Sequence, residues 1–161
     1  MPDEQIPTRD QALALLQEHV PDEKLRVHAL CVEGVMRYLA RKHGEDENEW
    51  GIVGLIHDID YERFPDEHCK HIREILEPHG WPESYLRAAE AHGWGICTDV
   101  EPQTLLEKCL FAFDELTGLV YATALVRPSR SVLDMNAKSV KKKWKIRSFA
   151  AGADREVIQK G

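Results

Sequence analysis

Apolar residues recur along the chain at spacings of three and four, the period of an amphipathic helix, and nowhere alternate as a half-buried strand would. Thr8-Arg9-Asp10-Gln11 reads as a capping box that opens a short helix with Ala12, Leu15 and Leu16 on its inner face. Pro21-Asp22-Glu23 opens a second, where proline suits the first helical position and acids suit the positive end of the dipole. It runs to about Lys42, with Gly44 as its cap. Leu25, Val32, Val35 and Leu39 form its apolar stripe, and His28 lies on that stripe. After an acidic connection, a helix spans about Asn48 to Asp58, and Tyr61 to Phe64 form a loop. Pro65-Asp66-Glu67 starts a helix carrying His68, Ile72, Ile75 and Leu76, and Pro82-Glu83 starts another with Leu86, Ala89 and His92. The longest apolar helix begins at Pro102 and runs to about Val126, with Leu106, Leu110, Phe113, Leu116 and Val120 inside and Asp114 beside the stripe. Short helical pieces follow around 136–145 and 154–160. The pattern predicts an all-α fold: one domain over 1–161, with its core at about 20–127 and a basic helical extension over 128–161.

Within this pattern one junction stands out. Gly51-Ile52-Val53-Gly54-Leu55-Ile56 is apolar enough to be buried, and His57-Asp58-Ile59-Asp60 follows it at once. Burying an imidazole and a carboxylate costs several kcal/mol, on the order of a lost hydrogen bond or more for each, unless something compensates them. A divalent cation compensates both; the bland alternative is a helix end whose polar residues meet water. Adjacent side chains on a helix point about 100° apart, so both grip one ion only where the chain turns inward at a helix end.

Composition narrows the class. The chain has 161 residues, 30% charged and 43% apolar, which suits a globular protein with one sizeable core. No apolar run approaches a membrane span, and Met1-Pro2-Asp3-Glu4 lacks the start of a secretory signal, so a cytoplasmic protein is expected. Cys31, Cys69, Cys97 and Cys109 form no Cys-x-x-Cys pair and no disulfide-framework spacing, which points to reduced thiols. The net charge of -7 is uneven: residues 121–161 hold ten Lys/Arg against three Asp/Glu, so +7, leaving -14 for residues 1–120. An acidic body disfavours nucleic-acid binding, while the basic quarter suits a small anion.

Five separate segments thus place His or Asp on or beside a core-facing stripe: those of His28, of His57/Asp58, of the pair His68 and His92, and of Asp114. Nitrogen and carboxylate donors without thiolates suit Mn, Fe, Co, Ni or Zn at a catalytic site, with Mg left open beside them, and helices stacked in a bundle bring such distant residues together. In this order, His28, His57-Asp58 and Asp114 resemble the H…HD…D motif of the HD-domain metal-dependent phosphohydrolases, over roughly residues 20 to 127. His68-Cys-Lys-His-Ile-Arg-Glu-Ile-Leu76 and Leu86-Arg-Ala-Ala-Glu-Ala-His92 resemble the family's helices that carry ligands of a second metal. Phe111-Ala-Phe-Asp114-Glu-Leu-Thr-Gly-Leu119 is similar to the final ligand helix of a small HDIG-type branch, and Arg127-Pro128, Lys138-Ser-Val and Phe149-Ala-Ala-Gly to its tail. The resemblance implies a helical bundle with a metal in its core. His28, His57, Asp58 and Asp114 would hold one cation, and His68 and His92 a second, with Asp58 bridging. Two departures stand beside it. Tyr61 occupies the position where many members carry Lys or Glu, and the Gly-Tyr-Pro element of cyclic-di-GMP hydrolases is absent.

Further residues acquire candidate roles around this set. Asp60 and Glu62 flank the pair and could, with Asp58, orient or deprotonate an attacking water, or form a solvated acidic loop. Trp94, between two glycines, could stack on a base or simply pack. Arg127 follows the Asp114 helix and could reach a phosphate. The run Lys138, Lys141, Lys142, Lys143, Lys145 and Arg147 is a solvated face or a cationic lid. His71 reads as a solvated residue at the rim, and His19, His43 and His79 as dipole-offsetting residues near helix C-termini. The expected activity is hydrolysis of a phosphomonoester or phosphodiester in a nucleotide-like or other small substrate, with one or two divalent cations per chain. The resemblance also admits a mixed-valent diiron oxygenase and a noncatalytic nucleotide-binding module. Oligomeric state, substrate and metal identity stay open.

Overall fold

The computed structural model describes residues 4–161. Among them the regular structure is entirely helical, with a single isolated bridge between Trp94 and Thr98 and no strand. The all-α class read from periodicity is what the chain adopts.

Helix α1 (Arg9–His19) opens on the expected capping box, Thr8 and Gln11 each accepting from the other's backbone amide. Helix α2 (Glu23–His43) is capped by Asp22 rather than led by Pro21, and it ends on Gly44 in the left-handed region at φ 72°. Helix α3 (Glu47–Ile56) starts at Asp46, whose carboxylate accepts from Asn48 and Glu49. Gly54 is where α3 meets α2, since a Cβ there would stand 3.1 Å from the Val32 carbonyl and 3.2 Å from Glu33 Cα. The buried Glu33 accepts from Arg9 on α1 and from Arg37 on α2, which satisfies its charge away from water.

After α3 the chain departs from the expected pattern. The helix predicted from Pro65 through Leu76 is broken into a 3-10 turn over Pro65–Glu67 and the short helix α4 (Ile72–Leu76). His68 is extended (φ -50°, ψ 143°) and Cys69 is left-handed at φ 72°, so His68 projects from a break and not from a helix face. Tertiary hydrogen bonds to Asp60 outweigh the local helical preference here. A further 3-10 turn at Glu77–His79, with proline inside it, ends the segment at Gly80. Helix α5 (Glu83–Ala91) begins after Pro82 and closes on His92.

Helix α6 (Leu105–Leu125) starts three residues later than Pro102, where Glu107 accepts from the amides of Gln103 and Thr104. Helices α7 (Ala137–Trp144) and α8 (Arg155–Lys160) lie at the positions read from the sequence. The chain divides into two compact units, residues 1–111 and 112–161, and the division falls inside α6. In the second unit the buried Arg155 donates to the carbonyls of Ile146, Phe149, Ala150 and Ala153 and so organises the segment between α7 and α8. No helix of the described residues is long and apolar enough to cross a membrane.

Candidate metal centre

His57 is the residue at which α3 ends, and it has no solvent exposure. Its Nδ1 lies 2.6 Å from the Gly54 carbonyl. A carbonyl only accepts, so the proton sits on Nδ1 and Nε2 presents a lone pair. His92 repeats the arrangement at the end of α5, its Nδ1 donating to the Ala89 carbonyl. His68 achieves the same polarity from its break in the chain, its Nδ1 2.7 Å from Asp60 Oδ1. Three imidazoles are thereby fixed in orientation, each with Nδ1 engaged and Nε2 turned inward.

What they face is Asp58, in the turn that follows α3. Its Oδ2 lies 3.2 Å from His57 Nε2 and 3.7 Å from His28 Nε2. Its Oδ1 lies 3.2 Å from His68 Nε2 and 3.1 Å from His92 Nε2. The carboxylate thus divides the imidazoles into two pairs, one for each oxygen. Within the second pair the two Nε2 atoms stand 3.1 Å apart, pointed at each other. Two ring nitrogens with their Nδ1 protons engaged elsewhere repel at that distance unless a proton or cation lies between them.

The electrostatics carry the same demand for positive charge. Burial disfavours the His68 imidazolium, yet hydrogen bonds to Asp58 and Asp60 outweigh it and push its pKa up to about 9. Burial likewise disfavours the Asp58 carboxylate, but His57 and the hydrogen bonds from His57, His68 and His92 hold it well below the usual range. His28, His57 and Asp58 each offer a donor atom within 4.8 Å of the others, and His68, Cys69 and His92 do the same. An imidazole and carboxylate set of this kind fits a divalent cation of the first transition row or zinc, which takes the place of the proton on His68.

The remaining expected site residues are placed as follows. Asp114 is buried on α6, in the second unit. Asp60 has no solvent exposure and both oxygens are engaged, Oδ1 by His68 and Oδ2 by the His71 amide. In this arrangement it orients the His68 ring. Glu62 turns the other way and accepts from the Asp22 amide at the start of α2. Trp94 packs on Phe111, ring centroids 5.7 Å apart. Arg127 is held within the second unit by Ser139 Oγ and the Asp134 carbonyl. His71 stacks on Phe64 at 3.8 Å and bonds Glu67 and Glu74, so it is tied at the rim.

A cleft of about 580 Å³ opens beside His68, and Trp94 is not among its lining residues. Tyr61, Lys70, Cys97, Thr98 and Asp99 are. The sequence reading missed Lys70, although its place two residues after His68 was a usable signal. It also missed that Cys69 and Cys97, 28 residues apart, are brought together as a disulfide, where reduced thiols were expected. Each cysteine lies close in sequence to a ligand candidate, His68 or His92, and that proximity was the available clue.

The order of ligands, the helical frame and the converging Nε2 atoms agree with one finding from comparison with known proteins. The family model of the HD domain matches residues 26–119, more than half of the chain. The chain belongs to the HD-domain family. No curated protein and no solved structure matches it. HD-domain proteins bind divalent metals and are for the most part metal-dependent phosphohydrolases.

Proposed function

We propose that this HD-domain protein hydrolyses a phosphomonoester or phosphodiester of a small, nucleotide-like molecule, using one or two divalent cations. The observation that supports it is the arrangement around Asp58, with two imidazole Nε2 atoms on each carboxylate oxygen. On this reading His28, His57, Asp58 and Asp114 hold one cation, His68 and His92 hold the second, and Asp58 serves both. The cation, when bound, lowers the pKa of its water to give a nucleophile at neutral pH and acts as a Lewis acid toward the phosphoryl oxygens.

The chain's own residues supply the rest. The Gly54, Ala89 and Asp60 acceptors hold the Nδ1 protons and aim each Nε2 inward, so that a cation can take that nitrogen without a rotamer search. The cleft has the size of a small-molecule site, and Lys70 on its wall offers a cation to an anionic phosphate. Tyr61, whose ring meets the His68 ring edge-on at 5.2 Å, forms part of the same wall and can pack against a base or other flat group. A Tyr in place of Lys or Glu at this position leaves positive charge to Lys70.

The test is turnover of a generic aryl phosphate ester, then of a nucleotide panel, by protein loaded in turn with Mn, Fe(II), Co, Ni, Zn or Mg. Turnover is expected with at least one of these, and Asp58→Ala is expected to lower it by on the order of 10²–10³. A metal-loaded protein that turns over nothing across the panel sinks the hydrolase reading.

A further inference from the structure

Two sulfurs sit against the His68/His92 pair. Cys69 follows His68 directly, is 3% exposed, and takes the left-handed backbone conformation at φ 72°. Cys97 comes from the loop after His92, where the amides of Ile96, Cys97 and Thr98 donate to the Gly93 carbonyl at 2.9, 3.0 and 3.3 Å. That shared acceptor folds the loop back over Gly93 and brings Cys97 to Cys69, with Cα atoms 6.0 Å apart. Gly93 makes the approach feasible, because a methyl group there would overlap both sulfurs. The Cys69 sulfur is also within 4.8 Å of a ring nitrogen of His68 and of His92. Cys97, by contrast, is half-buried and lines the cleft.

We propose that Cys69 is a ligand of the second cation, present as a thiolate when the pair is reduced and withdrawn when it is bonded to Cys97. The inference rests on the reading of His68 and His92 as ligands. The sulfur that a small thiol in the cleft reaches is that of Cys97. Attack there by a monothiol of the glutathione class forms a mixed disulfide on Cys97, breaks the Cys69–Cys97 bond, and releases Cys69 as a thiolate beside the two imidazoles. A second monothiol then attacks the mixed disulfide, freeing Cys97 as a thiol and leaving as the monothiol disulfide. Two electrons pass from the two monothiols to the two protein sulfurs, and the two monothiol protons end on Cys97 and in solvent. A His2Cys donor set favours zinc, iron(II) or cobalt(II) over magnesium, because thiolate is a soft ligand.

Cobalt(II) reports the difference, since a thiolate ligand adds a sulfur-to-cobalt charge-transfer band that nitrogen and oxygen ligands lack. Reduced wild-type protein is expected to take two cobalt ions per chain and to show the band. The oxidised protein lacks it, and titration with the monothiol restores it. Cys69→Ser is expected to abolish the band, whereas Cys97→Ser keeps it and loads without reductant. A measurement on the wild type alone covers the case that a variant misfolds: X-ray absorption at the cobalt edge should show a sulfur neighbour in the reduced, loaded protein and none in the oxidised one. Two cobalt ions without the band, or a band that survives in Cys69→Ser, would overturn the proposal while leaving the two-cation reading intact. Failure of reduced wild type to bind cobalt at all would overturn that reading, and this one with it.

Discussion

A carboxylate with no solvent exposure persists as a charge only when donors hold both of its oxygens, and Asp60 is held by the His68 ring and the His71 amide. Its consequence is felt two bonds away, at His68 Nε2, which it keeps aimed at Asp58 and at His92. Loss of such an outer partner typically costs about 10–100-fold in metal affinity. Asp60→Asn is therefore expected to weaken the second cation by about that factor in calorimetric titration, with helical content unchanged. Glu62→Gln, whose carboxylate serves the start of α2, should leave both cations as they are. Equal affinities in wild type and Asp60→Asn would remove Asp60 from the positioning role. The contrast between these two acids also marks what a sequence reveals. His57 and Asp58 stand out because an apolar run stops at them. Asp60 and Glu62 sit in a turn with no period, so their directions depend on backbone angles that no spacing encodes.

Helices with strong periodicity and good caps were legible almost to the residue, α1 through Thr8 and Gln11 and α2 through Gly44. The segment from Pro65 to Leu76 was not, because Cys69 in the left-handed region and the bonds to Asp60 are tertiary outcomes. The glycines of α3 carry the same lesson with measurable energies. Alanine in a helix interior gains roughly 1 kcal/mol over glycine, but overpacking costs about 1–3 kcal/mol. At Gly54 the added methyl meets the backbone of α2 at 3.1 and 3.2 Å, and backbone does not swing aside. At Gly51 it meets the Arg37 side chain, which can. Gly54→Ala should therefore destabilise by about 1–2 kcal/mol net in urea unfolding, and Gly51→Ala by less. The reverse order would show that α2 and α3 are not in this register. The start of α6 supplies a pH dependence. Burial raises the Glu107 pKa, but the Gln103 amide, Arg87 and the Thr104 amide outweigh it and lower the pKa below 4.5. A depressed carboxyl contributes stability that is complete above the unfolded value and is lost as pH falls through the folded one. The wild type should thus lose stability as pH drops below about 4.5, and Glu107→Gln should flatten that stretch of the profile. An unchanged slope in the variant would place the acid sensitivity elsewhere.

The uneven charge of the whole chain was plain in the sequence, and so were the histidines that converge on Asp58. The division into two units was not, because it falls within α6, where no composition boundary exists. His28, His57, Asp58, His68 and His92 all belong to the first unit, and they come from positions spread over most of its length. Only the folded first unit brings these five together, so a cation that binds them favours folding by mass action. At a free concentration a hundred times its dissociation constant, one such ion adds about 2.7 kcal/mol. For a chain of this size that corresponds to a rise in Tm of roughly 5–10 °C. The tryptophans Trp50 and Trp81, buried in the first unit, offer a probe that follows its unfolding. Adding Zn, Co, Fe(II), Mn or Ni should move that fluorescence transition upward, a chelator should return it, and Asp58→Ala should remove most of the shift because both pairs of imidazoles face that carboxylate. If none of these ions moves the transition, the imidazoles around Asp58 are held by protons alone, and their convergence serves the fold and not a metal.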